Sequence, residues 1–265
     1  MSLNATCNYM RPVEMDMDEL LECITAPWPA TARVHALTTI RNGGVSAPPF
    51  ATFNLGHHVS DDPAAVRANR ARLRTGLALP AEPLWLTQVH GTRVVAAAET
   101  APGTEADGSF TDCAGVVCAV LTADCLPVFL CDRAATRVAV VHAGWRGLAA
   151  GVVEQGLAAM GMAGDQVLAW LGPAIGPQAF EVGDEVRQAF ISHQPEAALA
   201  FQKNTRGRYY ADMYTLARLR LAAVGVTQVY GGEYCTYSER QRFFSYRRDG
   251  QTGRMAALIW LDVGT

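Results

Sequence analysis

Short apolar runs alternate with amphipathic stretches along most of the chain. Three continuous apolar runs of strand length lie near its middle, at Val116–Leu121, Pro127–Cys131 and Val138–Val141. Continuous hydrophobicity, rather than alternation, is typical of strands that are covered on both faces. The pattern therefore predicts a central sheet with further layers on each side of it.

The same pattern predicts strands and helices on both sides of this centre. Further strands are expected at Val34–Thr39, Leu84–Val89, Val94–Ala98, Val167–Leu171, Val226–Tyr230, Phe243–Tyr246 and Met255–Leu261. Helices are expected from about Asp61 to Thr75, where Pro63 stands in the first turn, and at Gly147–Met160, Glu181–Ser192 and Met213–Val224. Because some strands follow one another directly, the order favours an α/β fold with a mixed sheet and helices on its faces over a doubly wound fold.

The chain divides by its pattern into residues 1–30 and residues 31–265. The first segment reads as an irregular extension, apart from an acidic stretch around Met15–Ile24 that fits a short helix. No internal repeat and no linker rich in Pro, Gly or Ser interrupts the second segment, and 50% of the chain is hydrophobic. Residues 31–265 are therefore predicted to form one domain with a large core.

Composition excludes several classes of function. A formal net charge of −3 gives no basic footprint for nucleic acid or for an acidic membrane surface. The longest uncharged stretch, around Cys113–Ala123, is too short to span a bilayer, and no secretory signal opens the sequence. The cysteines number seven, an odd count, and form no CxxC pair, which predicts reduced thiols in the cytoplasm.

Three residues that can ligate metals stand where apolar strands are predicted to end. His90 follows the run that closes at Val89, Cys125 precedes Leu126-Pro127, and His142 closes Val138–Val141. Sites tend to form at strand ends in sheets that are covered by helices. If the three side chains converge, two imidazoles and a thiolate suit zinc and leave one tetrahedral position open for water or substrate.

Other interpretations of these residues stay open at the level of the sequence. The same ligand set is used by blue-copper sites, so copper is chemically acceptable. Cys125 and His142 could instead form a nucleophile and base pair without any metal, which would make the chain a cysteine hydrolase. A metal-binding protein without catalytic activity is a third class.

The residues after His142 and two aspartates add candidate chemistry. The turn His142–Gly147 leads into a predicted helix, where free N–H groups and Arg146 could hold an anion, although an ordinary turn with a solvated arginine looks the same. Asp107 and Asp124 are candidate proton carriers. On an extended backbone, Asp124 would point away from the face that Cys125 uses.

Several motifs together resemble one known family, the laccase-domain or polyphenol-oxidase family. They are Thr87–Gly91, Ala106–Gly108, Leu121–Pro127, His142–Gly147, Leu171–Pro173, Phe180–Gly183, Cys235-Thr236 and Phe243–Gly250. The resemblance runs from about Arg33 to Leu261 and leaves residues 1–30 outside it. Members of that family are understood as purine nucleoside phosphorylases with accompanying adenosine deaminase activity.

The resemblance implies a fold, substrates and a cofactor. The fold would be a mixed-sheet α/β sandwich with helices on its outer faces, related to toxin-like cysteine hydrolases, so that residues 31–265 would be the catalytic domain. Purine nucleosides (adenosine, inosine, guanosine and methylthioadenosine) and inorganic phosphate would be the substrates. Zinc would bind His90, Cys125 and His142, with copper as an alternative occupant.

The resemblance also implies contacts for the substrates and allows one activity to be set aside. Arg41, Asn54 and Arg146 fall in family motifs and would contact substrate or phosphate.

Multicopper oxidases hold their metal clusters with paired His-x-His motifs, whereas none occurs among the six histidines of this chain. Its adjacent pair, His57-His58, would face opposite ways on an extended chain. A copper-dependent polyphenol oxidase is therefore the least favoured alternative.

Overall fold

The computed structural model describes residues 21–263. Its strands are β1 (Cys23–Thr25), β2 (Val34–Thr39), β3 (Val94–Ala96), β4 (Gly108–Thr111), β5 (Cys118–Thr122), β6 (Leu126–Asp132), β7 (Val138–Ala143), β8 (Val167–Leu171), β9 (Glu181–Val182), β10 (Phe201–Lys203), β11 (Tyr209–Ala211), β12 (Gln228–Gly231) and β13 (Met255–Leu261). Its α-helices are α1 (Pro63–Gly76), α2 (Trp145–Ala150), α3 (Val152–Met160), α4 (Asp184–Ile191), α5 (Met213–Ala223) and α6 (Tyr246–Asp249). Short 3-10 segments cover Ala97–Glu99, Gly164–Gln166 and Pro195–Ala200.

The strands of this region form three sheets. The first has the order β1-β2-β13-β5 and is antiparallel throughout. The second has the order β12-β8-β6-β7-β4-β3 and is mixed, because β12 runs parallel to β8 and β3 runs parallel to β4. A small third sheet, β10-β11-β9, shares no strand with these two, and its residues Val182 and Ala211 pack in the same core cluster as Val128 of β6.

The two larger sheets pack face to face with helices outside them. Phe129 of β6 and Ile259 of β13 belong to one buried cluster between the sheets. Val128, which points the other way from β6, packs in a second cluster with α3 and α5. Leu258 of β13 packs outward in a third cluster with Leu73 of α1. The strands are therefore covered on both faces, as continuous apolar runs require.

Most of the predicted elements are confirmed, and the mixed α and β class with them. Strands β2, β8 and β13 have the predicted bounds. The segment Leu84–Val89, predicted as a strand, makes only isolated bridges, at Leu84 and Thr87. The Gln88 side chain explains this difference, since it donates to the carbonyl of Leu121 at 2.9 Å and accepts from its N–H at 2.7 Å. A side-chain amide thus takes the place of ladder bonds at the edge of β5.

Three further predictions of elements are wrong in informative ways. Gly147–Met160 is two helices, because Gly151 at φ +98° ends α2 and begins α3. The predicted helix Glu181–Ser192 opens as strand β9, and α4 starts only after Gly183. Phe243–Tyr246 is not a strand: Phe243 and its neighbour are buried core residues that lead into α6. Burial explains their hydrophobicity, and it carries no information about local conformation.

Differences also occur near the start and the middle of the chain. Cys23–Thr25, within the segment predicted to be irregular, pairs antiparallel with β2. Positions 15–20 of the predicted short helix Met15–Ile24 lie outside the described residues. The last two residues of that prediction belong to strand β1. Ala106–Gly108, which the sequence predicts to be a turn, leads directly into a strand, since Gly108 is the first residue of β4. Within residues 21–263 there is no helix with the length and hydrophobicity to cross a membrane.

Candidate metal centre

His90, Cys125 and His142 meet at one edge of the sandwich. Cys125 lies in the turn between β5 and β6, His142 lies near the end of β7, and His90 follows the extended segment that precedes β3. Their candidate ligand atoms all lie within 4.8 Å of one another. His90 Nε2 is 3.8 Å from Cys125 Sγ, and the two imidazole rings meet edge to face with centroids 4.8 Å apart. The convergence that the sequence could only suppose is therefore observed.

The buried carboxylate of Asp107 fixes the orientation of His142. Its Oδ1 accepts a hydrogen bond from His142 Nδ1 at 2.9 Å, and its backbone carbonyl accepts from the His142 N–H at 2.7 Å. With Nδ1 engaged in this way, Nε2 is the ring nitrogen left to ligate a metal. A carboxylate behind a ligating histidine is a recurrent arrangement, since it sets the tautomer and raises the basicity of the ligand.

The same carboxylate holds the backbone that carries His90. It accepts from three consecutive N–H groups, those of Val89 at 3.2 Å, His90 at 2.9 Å and Gly91 at 2.7 Å. Burial raises the pKa of Asp107, but the hydrogen bonds from His142, Gly91 and Val89 outweigh it, so the pKa lies below its usual value. Asp107 thus positions two of the three candidate ligands at once.

Asp124, the residue before Cys125, ties the cysteine turn to distant loops. Its backbone is at φ +92° rather than extended, so the orientation expected from an extended chain does not apply. The carboxylate accepts from Thr236 Oγ1 at 2.6 Å and from the N–H of Arg247 at 2.6 Å, while its carbonyl accepts from Ile175 N at 2.9 Å. An uncommon backbone conformation at a buried residue is maintained here by long-range contacts.

Gly144 allows the ligands to approach closely. A Cβ at this position would lie 2.7 Å from His90 Cδ2 and 3.1 Å from Cys125 Sγ. Since its φ of −61° suits any residue, the requirement for glycine here is steric rather than conformational. The strand-to-helix turn after His142 therefore packs directly against the ligand cluster.

The neighbours of the Cys125 thiol favour its ionised form. Burial raises the pKa of the thiol, but the charge and hydrogen bond of His142, together with His90, outweigh burial and lower the pKa to about 6. Burial likewise lowers the pKa of His142, while the charge of Cys125 and the hydrogen bond to Asp107 raise it to about 9. A thiolate beside imidazole is the donor form that metals bind, and it is also a nucleophile.

The donor set fits a zinc ion. On a tetrahedral zinc, nitrogen and sulfur ligands stand about 3.5 Å apart, close to the 3.8 Å between His90 Nε2 and Cys125 Sγ. Two nitrogens and one sulfur complete three of the four positions, and the fourth faces a cavity. Two imidazoles and a thiolate also suit copper.

The ligand cluster opens into a cavity of about 430 Å³. Besides the three candidate ligands, the cavity is lined by Gln88, Leu121, Ala123, His58, Tyr246 and Arg254. A volume of this size is within the range of small-molecule sites. The site is thus an open metal-ligand cluster at the base of a ligand-sized cavity.

The three contacts implied by family resemblance do not line this cavity. Arg41 donates to the carbonyls of Ala51 and Arg240. Asn54 is buried, and its side-chain amide bonds to neighbouring backbone and to Asp61. Arg146 is exposed, with its guanidinium over the ring of the preceding tryptophan. Their roles as substrate or phosphate contacts stay predictions.

The sequence does not reveal that His58, Tyr246 and Arg254 line the cavity. It marks His58 only as half of an adjacent pair, and its apolar pattern places Tyr246 on a strand that does not form. Arg254 lies outside every motif that carried the resemblance and immediately precedes β13. No local signal identifies these residues. Arg254 reaches the cavity because β13, which follows it directly, pairs with β2 and β5 from much earlier in the chain.

Comparisons with known proteins agree with this geometry. The family model described as "Multi-copper polyphenol oxidoreductase laccase" matches residues 35–262. The chain is 55% identical over 239 residues to a purine nucleoside phosphorylase of Pseudomonas aeruginosa, covering 90% of this chain and 98% of that protein. It is 52% identical, with the same coverage, to the purine nucleoside phosphorylase YfiH of Escherichia coli K12.

A solved structure supports the same assignment. The crystal structure of a Neisseria meningitidis protein superposes with a TM-score of 0.87 at 55% identity, covering 91% of this chain and 99% of that one. The resemblance predicted from the motifs is therefore confirmed by sequence and by structure. The chain belongs to the family described as multi-copper polyphenol oxidoreductase laccase.

Proposed function

We propose that this chain is a zinc-dependent purine nucleoside phosphorylase that also deaminates adenosine. The observation that carries the proposal is the His90, Cys125 and His142 cluster, which leaves a coordination position open toward a cavity of about 430 Å³. The names of the relatives supply the reaction class, since the Pseudomonas and Escherichia proteins are both called purine nucleoside phosphorylases.

In phosphorolysis, an oxygen of phosphate forms a bond to the C1′ of ribose while the C1′–N9 bond breaks. The bonding pair leaves with the purine, which takes up a proton, and ribose 1-phosphate is the second product. A zinc ion held by the three side chains would supply a Lewis acid beside the reacting groups. The protein itself contributes mainly by holding both substrates in line and by stabilising charge.

Two features of the cavity suit a nucleoside. The ring of Tyr246 is largely exposed at the cavity wall, where it offers a face on which a purine can stack. Leu121 and Ala123 give the same cavity an apolar wall, while the side chain of Gln88 is occupied by its bonds to the β5 backbone. We propose that the purine lies between Tyr246 and this apolar wall.

For deamination, water adds to C6 of adenosine and ammonia leaves, so a proton carrier is needed. Asp107 and Asp124 stay the proposed candidates. The Asp107 carboxylate bonds directly to a ligating histidine, which would let it act on the protonation of that ring. Asp124 is bonded to Thr236 and to a backbone N–H, so any proton it moves would travel along that network.

The proposal is tested by metal analysis of freshly purified protein combined with an inosine assay. We expect about one zinc per chain and hypoxanthine that is released only when phosphate is present. Release of ammonia from adenosine tests the second activity separately. Zinc-loaded protein that cleaves no purine nucleoside in phosphate buffer would contradict the proposal.

A metal-free cysteine hydrolase is the second candidate, and one observation favours it. Asp107, His142 and Cys125 form an acid–histidine–thiol series of the kind that activates nucleophiles, which also supports the proposed relation to toxin-like cysteine hydrolases. This alternative leaves His90 without a role. Protein that is fully active after removal of metal, and inactive after alkylation of the thiol, would favour the hydrolase over the phosphorylase.

The predicted cellular setting and the copper alternative belong to the same proposal. Six cysteines within residues 21–263 are free thiols, which supports a reducing, cytoplasmic environment.

Within the same region, one cluster of three residues could hold a metal ion. That cluster can hold one copper but cannot hold the several coppers that a multicopper oxidase uses.

A further inference from the structure

We propose that phosphate binds to Arg254, where the metal-ligand cavity meets a second cavity, and not to Arg146. This inference rests on the proposed phosphorolysis and assigns its anionic substrate a place. The second cavity measures about 300 Å³ and shares His58, Tyr246 and Arg254 with the first. These three residues therefore border both cavities and form the junction between them.

The guanidinium of Arg254 is anchored on one side and available on the other. Its Nη1 donates to the carbonyls of Thr252 at 2.9 Å and Gly253 at 3.0 Å. The backbone N–H of Arg254 donates to Asn54 Oδ1 at 2.9 Å, which fixes the start of the side chain. Among the described residues, no acceptor bonds to Nε or Nη2. These two donors form the edge of the fork that binds two oxygens of one phosphate.

Charge at this junction is unbalanced in favour of an anion. No described carboxylate forms an ion pair with Arg254, although the side chain is half-buried. The nearby carboxylates of Asp61 and Asp124 are already occupied by hydrogen bonds from Ser46 and Asn54, and from Thr236 and Arg247. Burial lowers the pKa of Arg254, and the charges of Cys125 and Asp124 only partly offset this. A metal held by Cys125 would take up the charge of the thiolate, so a bound phosphate would lower the cost of burying this cation.

The positive charge of Arg254 also acts on His58, which borders both cavities. Burial lowers the pKa of His58, and the charge of Arg254 lowers it further, with smaller effects from His57, Arg70 and His142, to about 4. His58 is therefore neutral near pH 7 and can donate one ring N–H to an anion. Positive potential in a cleft raises the local concentration of anions.

Arg146 offers a weaker environment. Its side chain is exposed, its guanidinium lies 4.4 Å from the centroid of the Trp145 ring, and it does not line the cavity. An exposed guanidinium in water gains little from a single phosphate contact. The anion is therefore better held at the junction, within the same space as the open coordination position.

The first test is kinetic and compares matched arginine variants. Arg254→Gln should raise the KM for phosphate about 10- to 100-fold at pH 7.5 while leaving the KM for inosine within about twofold, because a bidentate charged contact is lost. Arg254→Lys should recover part of the affinity. Arg218→Gln is the control, since Arg218 is also half-buried and donates to two carbonyls, those of Val229 and Gly231, away from the cavity.

The second test separates this inference from the proposed function. Binding of inorganic phosphate to the zinc-loaded protein is measured by calorimetry without any nucleoside, for wild type, Arg254→Gln, Arg146→Gln and Arg218→Gln. Loss of binding in Arg254→Gln alone supports the assignment even if inosine is never cleaved, in which case the proposed function fails and the site stands.

Two results would overturn the assignment. One is unchanged phosphate affinity in an Arg254→Gln protein that keeps its zinc and its melting temperature. The other is the absence of phosphate binding in the wild-type protein. Loss of affinity in Arg146→Gln, with Arg254→Gln unaffected, would move the anion to the turn after β7.

Discussion

Strand β6 begins at the metal-ligand cluster and ends at an ordinary hairpin, and a buried aspartate stands at each end. Asp132, at the hairpin, accepts from the N–H and hydroxyl of Thr136 and from the N–H of Arg137, all within five residues. Asp124, at the cluster, accepts from Thr236 and Arg247, which are 112 and 123 residues away. The same residue type thus stabilises a local turn at one end and joins distant segments at the other.

The cysteines at the two ends differ in the same manner. Cys131 lies within β6, where burial, with the charge of Asp132 adding to it, raises the pKa of its thiol to about 12. Cys125 is partly buried, yet His142 and His90 outweigh the effect of burial and lower the pKa of its thiol to about 6. Burial by itself makes a thiol inert, whereas burial beside two imidazoles makes it a ligand or a nucleophile.

The largest expected effect follows from removing each thiol in turn. Cys125→Ala should abolish zinc binding and phosphorolysis, since it removes the one anionic ligand of the three. Cys131→Ala should keep both, because that side chain only fills space between the sheets. Zinc content after gel filtration and the rate of hypoxanthine release measure the difference. A Cys125→Ala protein that is active and holds a full complement of zinc would disprove the site.

A second experiment compares the acidity of the two thiols in metal-stripped protein. A pKa lowered to about 6 means that Cys125 is a thiolate above that pH, so its alkylation rate should rise with a midpoint near pH 6 and be level by pH 8. Cys131, with a pKa near 12, should stay unmodified over this range. Peptide mass spectrometry after iodoacetamide treatment resolves the sites. A midpoint near 9 for Cys125 would show that the histidines do not act on it.

Replacing a buried aspartate by asparagine should change zinc binding less than removal of the Cys125 thiol does. Asp107→Asn should weaken zinc affinity about 10- to 100-fold, because the amide no longer polarises His142 and holds the Val89–Gly91 backbone less well. Asp132→Asn, at the far end of β6, should leave zinc affinity unchanged. Competition with a chelator of known affinity measures both. Equal losses in the two variants would mean that Asp107 acts through general stability.

The smallest effect on activity is expected for the hairpin variant, in which only the free energy of unfolding should change. Asp132→Asn retains one acceptor and loses part of a three-bond network, which should cost about 1–3 kcal/mol. Phosphorolysis per folded molecule should be unaltered, since the hairpin is at the opposite end of β6 from the ligands. Urea unfolding and a specific-activity assay test these two statements. A loss of activity without a loss of stability would show coupling along the strand.

The contrast between the two ends also explains which parts of the fold were predictable. Strands β2, β8 and β13 follow from apolar runs whose conformation is set by burial on both faces. Predictions fail where a contact distant in sequence replaces the local rule. Gln88 occupies the edge of β5 in place of a strand, and Phe243 is apolar because it is in the core.

At the candidate site, residue type and local position are enough to select the candidate ligands and to identify the family. His90, Cys125 and His142 are chemically distinctive residues at strand ends, and the motifs around them specify the family. A sequence carries both kinds of information directly, because neither depends on how distant segments pack. The small number of histidines and the lack of His-x-His pairs likewise argue against a multicopper cluster from composition and spacing alone.

Only the folded chain shows how these ligands are supported and what faces them. Asp107 accepts hydrogen bonds from the His142 ring and from the backbone of His90, and Gly144 packs closely against His90 and Cys125. His58, Tyr246 and Arg254 line the cavity beside them. Each of these features joins segments that are remote along the chain. Such contacts depend on strand pairing and on the packing of loops, and no local pattern encodes them. The sequence therefore specifies which atoms can bind a metal, and the fold specifies what those atoms can act upon.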